Sequence, residues 1–136
     1  MAYLLDTDVL IWHLRGHPPT VRLLENLAQE RREPEEALPL GCSVISVFEV
    51  RVGMQPEEQS ATEGLLNILE TYSVDKIMAH RAADYYHSFA RQGVTLHIAD
   101  LLIASTALVH GLTLVTYNRR HFPMEDIHIY EPMPEF

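Results

Sequence analysis

The sequence is poor in thiol and lysine side chains, with one cysteine, Cys42, and one lysine, Lys76, among 136 residues. A single cysteine excludes an internal disulfide and a thiolate-rich zinc site. No apolar run approaches the roughly 18–20 residues needed to cross a bilayer, and the N-terminus lacks the basic segment and small-residue cleavage site of a secretory signal. We therefore expect a soluble protein of the reduced cytoplasm, without membrane attachment.

Positive charge is also scarce. The chain carries 19 acidic and 10 basic residues, for a formal net charge of −9. A protein that coats nucleic acid without sequence preference is usually basic, so the charge argues against passive coating. It is compatible with a catalyst whose acidic groups are partly neutralised by a metal ion, or with a basic protein partner.

Short apolar runs alternate with helical patterns along the chain. Strands are predicted at residues 2–5, 40–45, 112–116 and 127–130. Helices are predicted at about residues 9–14, 18–30, 46–53, 60–72, 76–93 and 97–110, with residues 31–39 as an exposed loop. This alternation indicates a parallel sheet covered on both faces. We predict one α/β domain over residues 1–136, a three-layer α/β/α fold with a central, mostly parallel sheet of four to five strands.

Polar residues interrupt the apolar runs at places that this fold brings to one edge. Asp6 follows the first strand and Asn118 follows the third. Ser46 is expected to cap the helix after the second strand, with Glu49 at its third position, as in a capping box. Asp100 lies in the first turn of the helix that precedes the third strand. Because ligands bind beyond the carboxyl ends of parallel strands, we expect these five groups to share one rim.

Three carboxylates held close together repel one another unless one takes a proton or a cation neutralises them. A donor set of oxygen atoms alone favours Mg²⁺ or Mn²⁺ over zinc. We predict that Asp6 and Asp100 hold the principal ion and that Glu49 completes the site, while Ser46 and Asn118 position water or ligand. Such a site suits metal-assisted hydrolysis of a phosphodiester.

Each acidic residue also has an ordinary structural explanation when taken alone. Asp6 suits the N-cap of a helix, Asp100 suits a pair with His97, and Glu49 suits the acid of a capping box. The shared rim is the better hypothesis because it needs one explanation where the alternatives need three.

Four stretches also resemble a known family. They are residues 5–10 (LDTDVL), 46–49 (SVFE), 98–104 (IADLLIA) and 116–122 (TYNRRHF). In order and spacing they resemble PIN-domain ribonucleases, most closely the VapC-like toxins of prokaryotic toxin–antitoxin pairs. The resemblance implies a PIN-like fold, Mg²⁺-dependent endoribonuclease activity, homodimerisation and a cognate VapB-like antitoxin.

The resemblance also implies roles for individual residues. Asp6, Glu49 and Asp100 match the three acidic positions of the family, with Asp6 and Asp100 as magnesium ligands. Ser46 matches its small hydroxyl position, and Asn118 matches a position that varies between acid and amide. His121 departs from the family, because many members carry an acid just before the following aromatic residue. We interpret His121 as a surface residue, with a phosphate or Mn²⁺ contact as the alternative.

Two other functions remain open. The stretch from Asp6 to Val9 also resembles the first motif of haloacid-dehalogenase-like phosphatases, in which Asp6 would be a nucleophile and Asp8 an acid–base group. That chemistry needs a lysine near the phosphate, and Lys76 lacks the expected surroundings. The second alternative is a catalytically inactive PIN-like subunit that only binds its partner.

Overall fold

The structure is a computed structural model that describes residues 2–30 and 38–135. Within these residues the chain forms one sheet of five strands, all parallel, in the order β3-β2-β1-β4-β5. The strands are β1 (Tyr3–Leu5), β2 (Leu40–Ser43), β3 (Glu70–Tyr72), β4 (Thr113–Val115) and β5 (His128–Ile129). The predicted α/β class and the parallel sheet are confirmed.

Helices cover both faces of this sheet. They are α1 (Thr7–Leu14), α2 (Pro18–Ala28), α3 (Val44–Gly53), α4 (Gln59–Ile68), α5 (Lys76–Ala90) and α6 (Ile98–His110). One hydrophobic core packs residues of α1 to α4 on one face, and a second packs residues of α5 and α6 on the other. None of the helices in the described ranges is long and apolar enough to cross a membrane.

The central strand β1 shows why an unbroken apolar run forms a strand here. Successive side chains of a strand point to opposite faces. Tyr3 and Leu5 therefore join the core on the α1–α4 face, while Leu4 joins the core on the α5–α6 face. All three are at most 4% exposed. A strand buried on both faces has no solvent side, so it carries no polar alternation.

The sheet order places a crevice at the carboxyl end of β1. From β1 the chain proceeds to β2 and β3 on one side, and it later returns to pair β4 with the other edge of β1. Parallel α/β sheets bind ligands at such a reversal of strand order. The carboxyl ends of β1 and β4 therefore define the position of a functional site.

The prediction that Ser46 caps α3 is wrong. The helix begins at Val44, and the Oγ of Ser43 caps it by accepting a hydrogen bond from the N–H of Ile45 at 3.1 Å. β2 ends at Ser43, so this earlier serine meets the first free N–H groups of the helix. Ser46 is fully buried inside the helix, and Glu49 lies in its second turn, not at its third position.

The boundaries predicted between residues 60 and 72 are also wrong. α4 begins at Gln59, after a 3₁₀ turn in which the side chain of Glu58 accepts a hydrogen bond from the N–H of Gln55 at 2.9 Å. The helix ends at Ile68, and the segment predicted to continue it forms the edge strand β3. The predicted loop at residues 31–39 lies mostly outside the described residues.

Close packing between β2 and β3 generates a stability prediction. A Cβ atom at Gly41 would lie 2.7 Å from the carbonyl oxygen of Glu70 and 2.6 Å from Cε2 of Tyr72. Because a backbone oxygen cannot move aside, we expect Gly41→Ala to lower the free energy of unfolding by about 1–3 kcal/mol in urea denaturation. Gly64→Ala is the control: it fills open space in α4 and should stabilise by about 0.5–1 kcal/mol. Equal stability of Gly41→Ala and the wild type would contradict this packing.

Candidate active site

Asp6 ends β1 and begins α1, and both of its carboxylate oxygens are held. Oδ1 accepts a hydrogen bond from the N–H of Thr7 at 2.8 Å, as expected of a helix N-cap. Oδ2 accepts a hydrogen bond from the hydroxyl of Thr116 at 2.7 Å, across the crevice between β1 and β4. Asp6 is therefore the N-cap of α1, as its structural explanation predicted. Its second oxygen makes a further hydrogen bond, to Thr116, that helix capping does not require.

The environment of Asp6 disfavours its charge. The side chain is 5% exposed. The pKa of Asp6 is raised to about 6, chiefly by burial and also by the nearby charges of Asp100 and Glu49, while the hydrogen bonds from Thr116 and Thr7 oppose the rise. These carboxylates, from three separate segments, are close enough to act on one another electrostatically.

Thr7 connects the second segment to this site. Its Oγ1 donates to Oε1 of Glu49 at 2.7 Å and lies 2.9 Å from the Oγ of Ser46. Ser46 therefore contacts the same Thr7 hydroxyl that bonds Glu49, and it does not cap the helix. The predicted convergence of Ser46 and Glu49 on the carboxyl edge holds, but the hydroxyl between them was not anticipated.

Asp100 enters from the other side of the sheet. It is the third residue of α6, in the first turn, as predicted. Its Oδ2 lies 3.4 Å from Nδ1 of His121. Burial raises the pKa of Asp100, and Glu49 adds to the rise, while the charges of His121 and His97 oppose it. The histidine within ion-pair distance of Asp100 is His121, and not the His97 of the alternative structural explanation. His121 is half-exposed, as expected of a surface residue, and it also contacts a predicted site residue.

Asn118 follows β4 at the same edge. Its side chain is exposed, and its backbone N–H donates to the Oγ1 of Thr116 at 2.9 Å. The Thr116 hydroxyl thus joins Asp6 to the loop that carries Asn118. Thr116 was not singled out from the sequence, although its position directly after a strand beside β1 was a usable signal.

Asp8 is a further carboxylate, which lies in the stretch 5–10 but was given a catalytic role only in the phosphatase alternative. Its Oδ2 accepts a hydrogen bond from the N–H of Tyr117 at 3.1 Å. Its Oδ1 is buried and has no hydrogen-bond partner within the described part of the chain. Burial raises the pKa of Asp8 to about 7, with a contribution from the charge of Asp6. Asp8 therefore adds a further buried carboxyl group beside Asp6, and this environment disfavours its charged form.

The donor set suits a hard divalent cation. Over residues 2–30 and 38–135, no group of three His, Cys, Asp or Glu side chains is already gathered as a metal cage. Mg²⁺ does not require one, because it keeps several waters and binds through one or two carboxylates. The repelling carboxylates of Asp6, Glu49 and Asp100 can supply these oxygens, and a cation between them would remove the repulsion.

Comparison with known proteins identifies the family. A family model described as the PIN domain matches residues 3–125. The chain belongs to the PIN-domain family. The resemblance read from the four motifs is therefore confirmed, and with it the three-layer fold. This match replaces the phosphatase interpretation of Asp6.

Relatives of this PIN-domain chain cover nearly its whole length. Ribonuclease VapC10 of Mycobacterium tuberculosis is 36% identical over 121 residues, which are 89% of this chain and 86% of the relative. Ribonuclease VapC19 of the same organism is 33% identical over 124 residues, 89% of this chain and 92% of the relative. A DNA-bound VapBC structure from Salmonella typhimurium aligns with a TM-score of 0.79 at 27% identity, covering 96% of this chain and 97% of that one.

The bond between Thr116 and Asp6 can be tested directly. Thr116→Val keeps the shape of the side chain but removes both the donor to Asp6 and the acceptor for the N–H of Asn118. We expect a loss of about 1–3 kcal/mol in the free energy of unfolding, measured in urea, since a buried charged acceptor loses its donor. Thr116→Ser retains the hydroxyl and should lose less. Equal losses in the two variants would show that the methyl group, not the hydroxyl, matters.

Proposed function

We propose that this PIN-domain chain is a metal-dependent endoribonuclease of the VapC type that hydrolyses RNA phosphodiester bonds. The observation that carries the proposal is the Asp6 carboxylate, buried at the junction of β1 and β4 and under the electrostatic influence of Asp100 and Glu49. Relatives more than 30% identical are named ribonucleases, which supports RNA as the substrate.

In this proposal Asp6 and Asp100 hold a Mg²⁺ or Mn²⁺ ion, and Glu49 completes the site directly or through water. The ion supplies charge neutralisation at the scissile phosphate and makes water more acidic. Without a cation, the same carboxylates would repel the phosphate that they must approach. The negative charge of the site is thus a requirement for the metal and a barrier to RNA in its absence.

The remaining residues orient these carboxylates. Thr116 fixes one oxygen of Asp6, and Thr7 fixes one oxygen of Glu49. Asn118 lies exposed at the edge, where its amide can hold water or a substrate oxygen. Preorganised polar groups of this kind lower a barrier because they need not rearrange during the reaction.

A cognate VapB-like antitoxin is part of this proposal. The solved relative from Salmonella typhimurium is a VapBC complex. The acidic edge and the net charge of −9 suit inhibition by a basic segment whose arginine or lysine occupies the position of the cation.

Metal binding should appear as thermal stabilisation. An ion that binds only the folded state at one hundred times its Kd stabilises by about 2.7 kcal/mol. We expect Mg²⁺ or Mn²⁺ to raise the Tm of the wild type, and Asp100→Asn to lose most of this shift. Asp84→Asn is the control, because Asp84 is an exposed acid on α5 whose ion-pair partner is Arg81 and which, in the described part of the chain, makes no contact with Asp6, Glu49 or Asp100. An unchanged metal-induced shift in Asp100→Asn would exclude that residue as a ligand.

Activity should depend on Asp6. We expect the purified wild type with Mg²⁺ to cut RNA at discrete positions, and Asp6→Asn to cut at least about a hundredfold more slowly, because a charge that holds the ion is lost. Mapped RNA ends measure the cuts, and circular dichroism checks that the variant is folded. Induced expression should arrest growth only for the wild type and the Asp84→Asn control. Equal cleavage by wild type and Asp6→Asn would overturn the proposed function.

A further inference from the structure

The end of α1 carries a cluster of planar side chains that the proposed reaction has not used. The guanidinium carbon of Arg15 lies 5.4 Å from the centroid of the Trp12 ring. The ring of His17 lies 5.3 Å from the same ring, tilted by 56°. We call Trp12, Arg15 and His17 the Trp12 platform. Arg15 is exposed, while the two rings are partly exposed.

A tight turn builds this platform. The N–H of His17 donates to the carbonyl of Trp12 at 3.0 Å, which folds the chain back on the helix end. Gly16 between them has φ +73°. This left-handed conformation is accessible to glycine at little cost and is strained for other residues. The backbone turn therefore places the His17 ring beside the Trp12 ring.

Hydrogen bonds fix the platform relative to the candidate active site. Nδ1 of His17 lies 2.7 Å from Oγ1 of Thr20, and that oxygen lies 2.6 Å from the hydroxyl of Tyr117. The N–H of Tyr117 in turn donates to Asp8. Tyr117 stands directly between Thr116 and Asn118, so the platform is held through the same loop that carries these site residues.

Among residues 2–30 and 38–135, Arg15 differs from three other arginines in having no acidic partner. Arg51, Arg81 and Arg119 each form an ion pair with a carboxylate. Within residues 2–30 and 38–135, no carboxylate lies within ion-pair distance of Arg15. In a chain of net charge −9, an exposed guanidinium positioned over an indole ring offers both a positive charge and a flat surface to a ligand.

We propose that the Trp12 platform is a nucleobase subsite, at which an unpaired base of single-stranded RNA stacks on the Arg15 guanidinium beside the Trp12 and His17 rings. Stacking on aromatic rings and on guanidinium planes is how proteins hold unstacked RNA bases. The ribose–phosphate chain then runs from the platform past Tyr117 to the carboxyl edge. This inference rests on the proposed function, since it assigns a subsite to the same RNA substrate.

The single tryptophan of the chain makes the platform directly observable. The protein for this titration is Asp6→Asn with Mg²⁺, in which the proposed function predicts no appreciable cleavage. The probes are a short single-stranded RNA of mixed sequence and an abasic ribose–phosphate chain of the same length. We expect the RNA to quench Trp12 fluorescence and the abasic chain to leave it nearly unchanged, because only a base can stack.

Variants of Arg15 separate stacking from charge. Since stacking contributes about 1–3 kcal/mol per base, we expect Arg15→Gln to weaken RNA binding by roughly tenfold. Arg15→Lys keeps the positive charge but loses the planar guanidinium, so we expect it to weaken RNA binding nearly as much as Arg15→Gln does. Arg91→Gln is the matched control, because Arg91 is exposed at the end of α5 and has no carboxylate partner in the described ranges. It should bind within about twofold of the parent.

The outcomes distinguish the subsite from the function. Asp6-dependent cleavage without base-dependent quenching, or Arg15→Lys binding like the parent, would overturn the subsite and leave the ribonuclease intact. A fluorescence change only on binding of the antitoxin would make the platform a protein contact and also overturn it. Undiminished cleavage by Asp6→Asn would overturn the function itself, whatever the fluorescence shows.

Discussion

The structure depends on holding one buried carboxylate at the end of the central strand. Removing the charge of Asp6 from water is costly unless hydrogen bonds or a cation compensate it. Two donors do so here, the N–H of Thr7 from the helix that follows and the hydroxyl of Thr116, which comes directly after the neighbouring strand β4. The second donor reaches Asp6 because β4 pairs with β1. These hydrogen bonds do not remove the repulsion that Asp6 experiences from Asp100 and Glu49, which a bound cation would neutralise.

The elements that position the acids could be predicted because their signals are local. The apolar run before Asp6 and the glycine that ends α6 at Gly111 both mark their elements, and Asp100 lies in the first turn as expected. The hydroxyl network could not be predicted in the same way. Thr7 and Ser46 meet across 39 residues, and no periodicity in either segment encodes that contact. Whether Ser43 or Ser46 caps α3 depends on where β2 ends, which pairing with its neighbours decides.

Strand β3 was missed for a related reason. Glu70, Thr71 and Tyr72 form a short edge strand. Because these residues are mostly exposed, they need not be apolar, and the sequence shows no apolar run that would predict a strand. Tyr72 also continued the helical spacing of α4. The information that separates strand from helix lies in β2, where Gly41 lets the two backbones approach closely. A pattern read along one segment cannot reveal a constraint that belongs to its partner.

The separation of Asp6 and Thr116 along the chain affects when the site can exist during protein synthesis. The two side chains are 110 residues apart. A nascent chain on the ribosome exposes β1 early, but β1 stays without its neighbour β4 until almost the whole domain has emerged. The candidate active site is therefore a late product of translation, and a chain cut short before β4 carries the first acid without the hydroxyl that positions it.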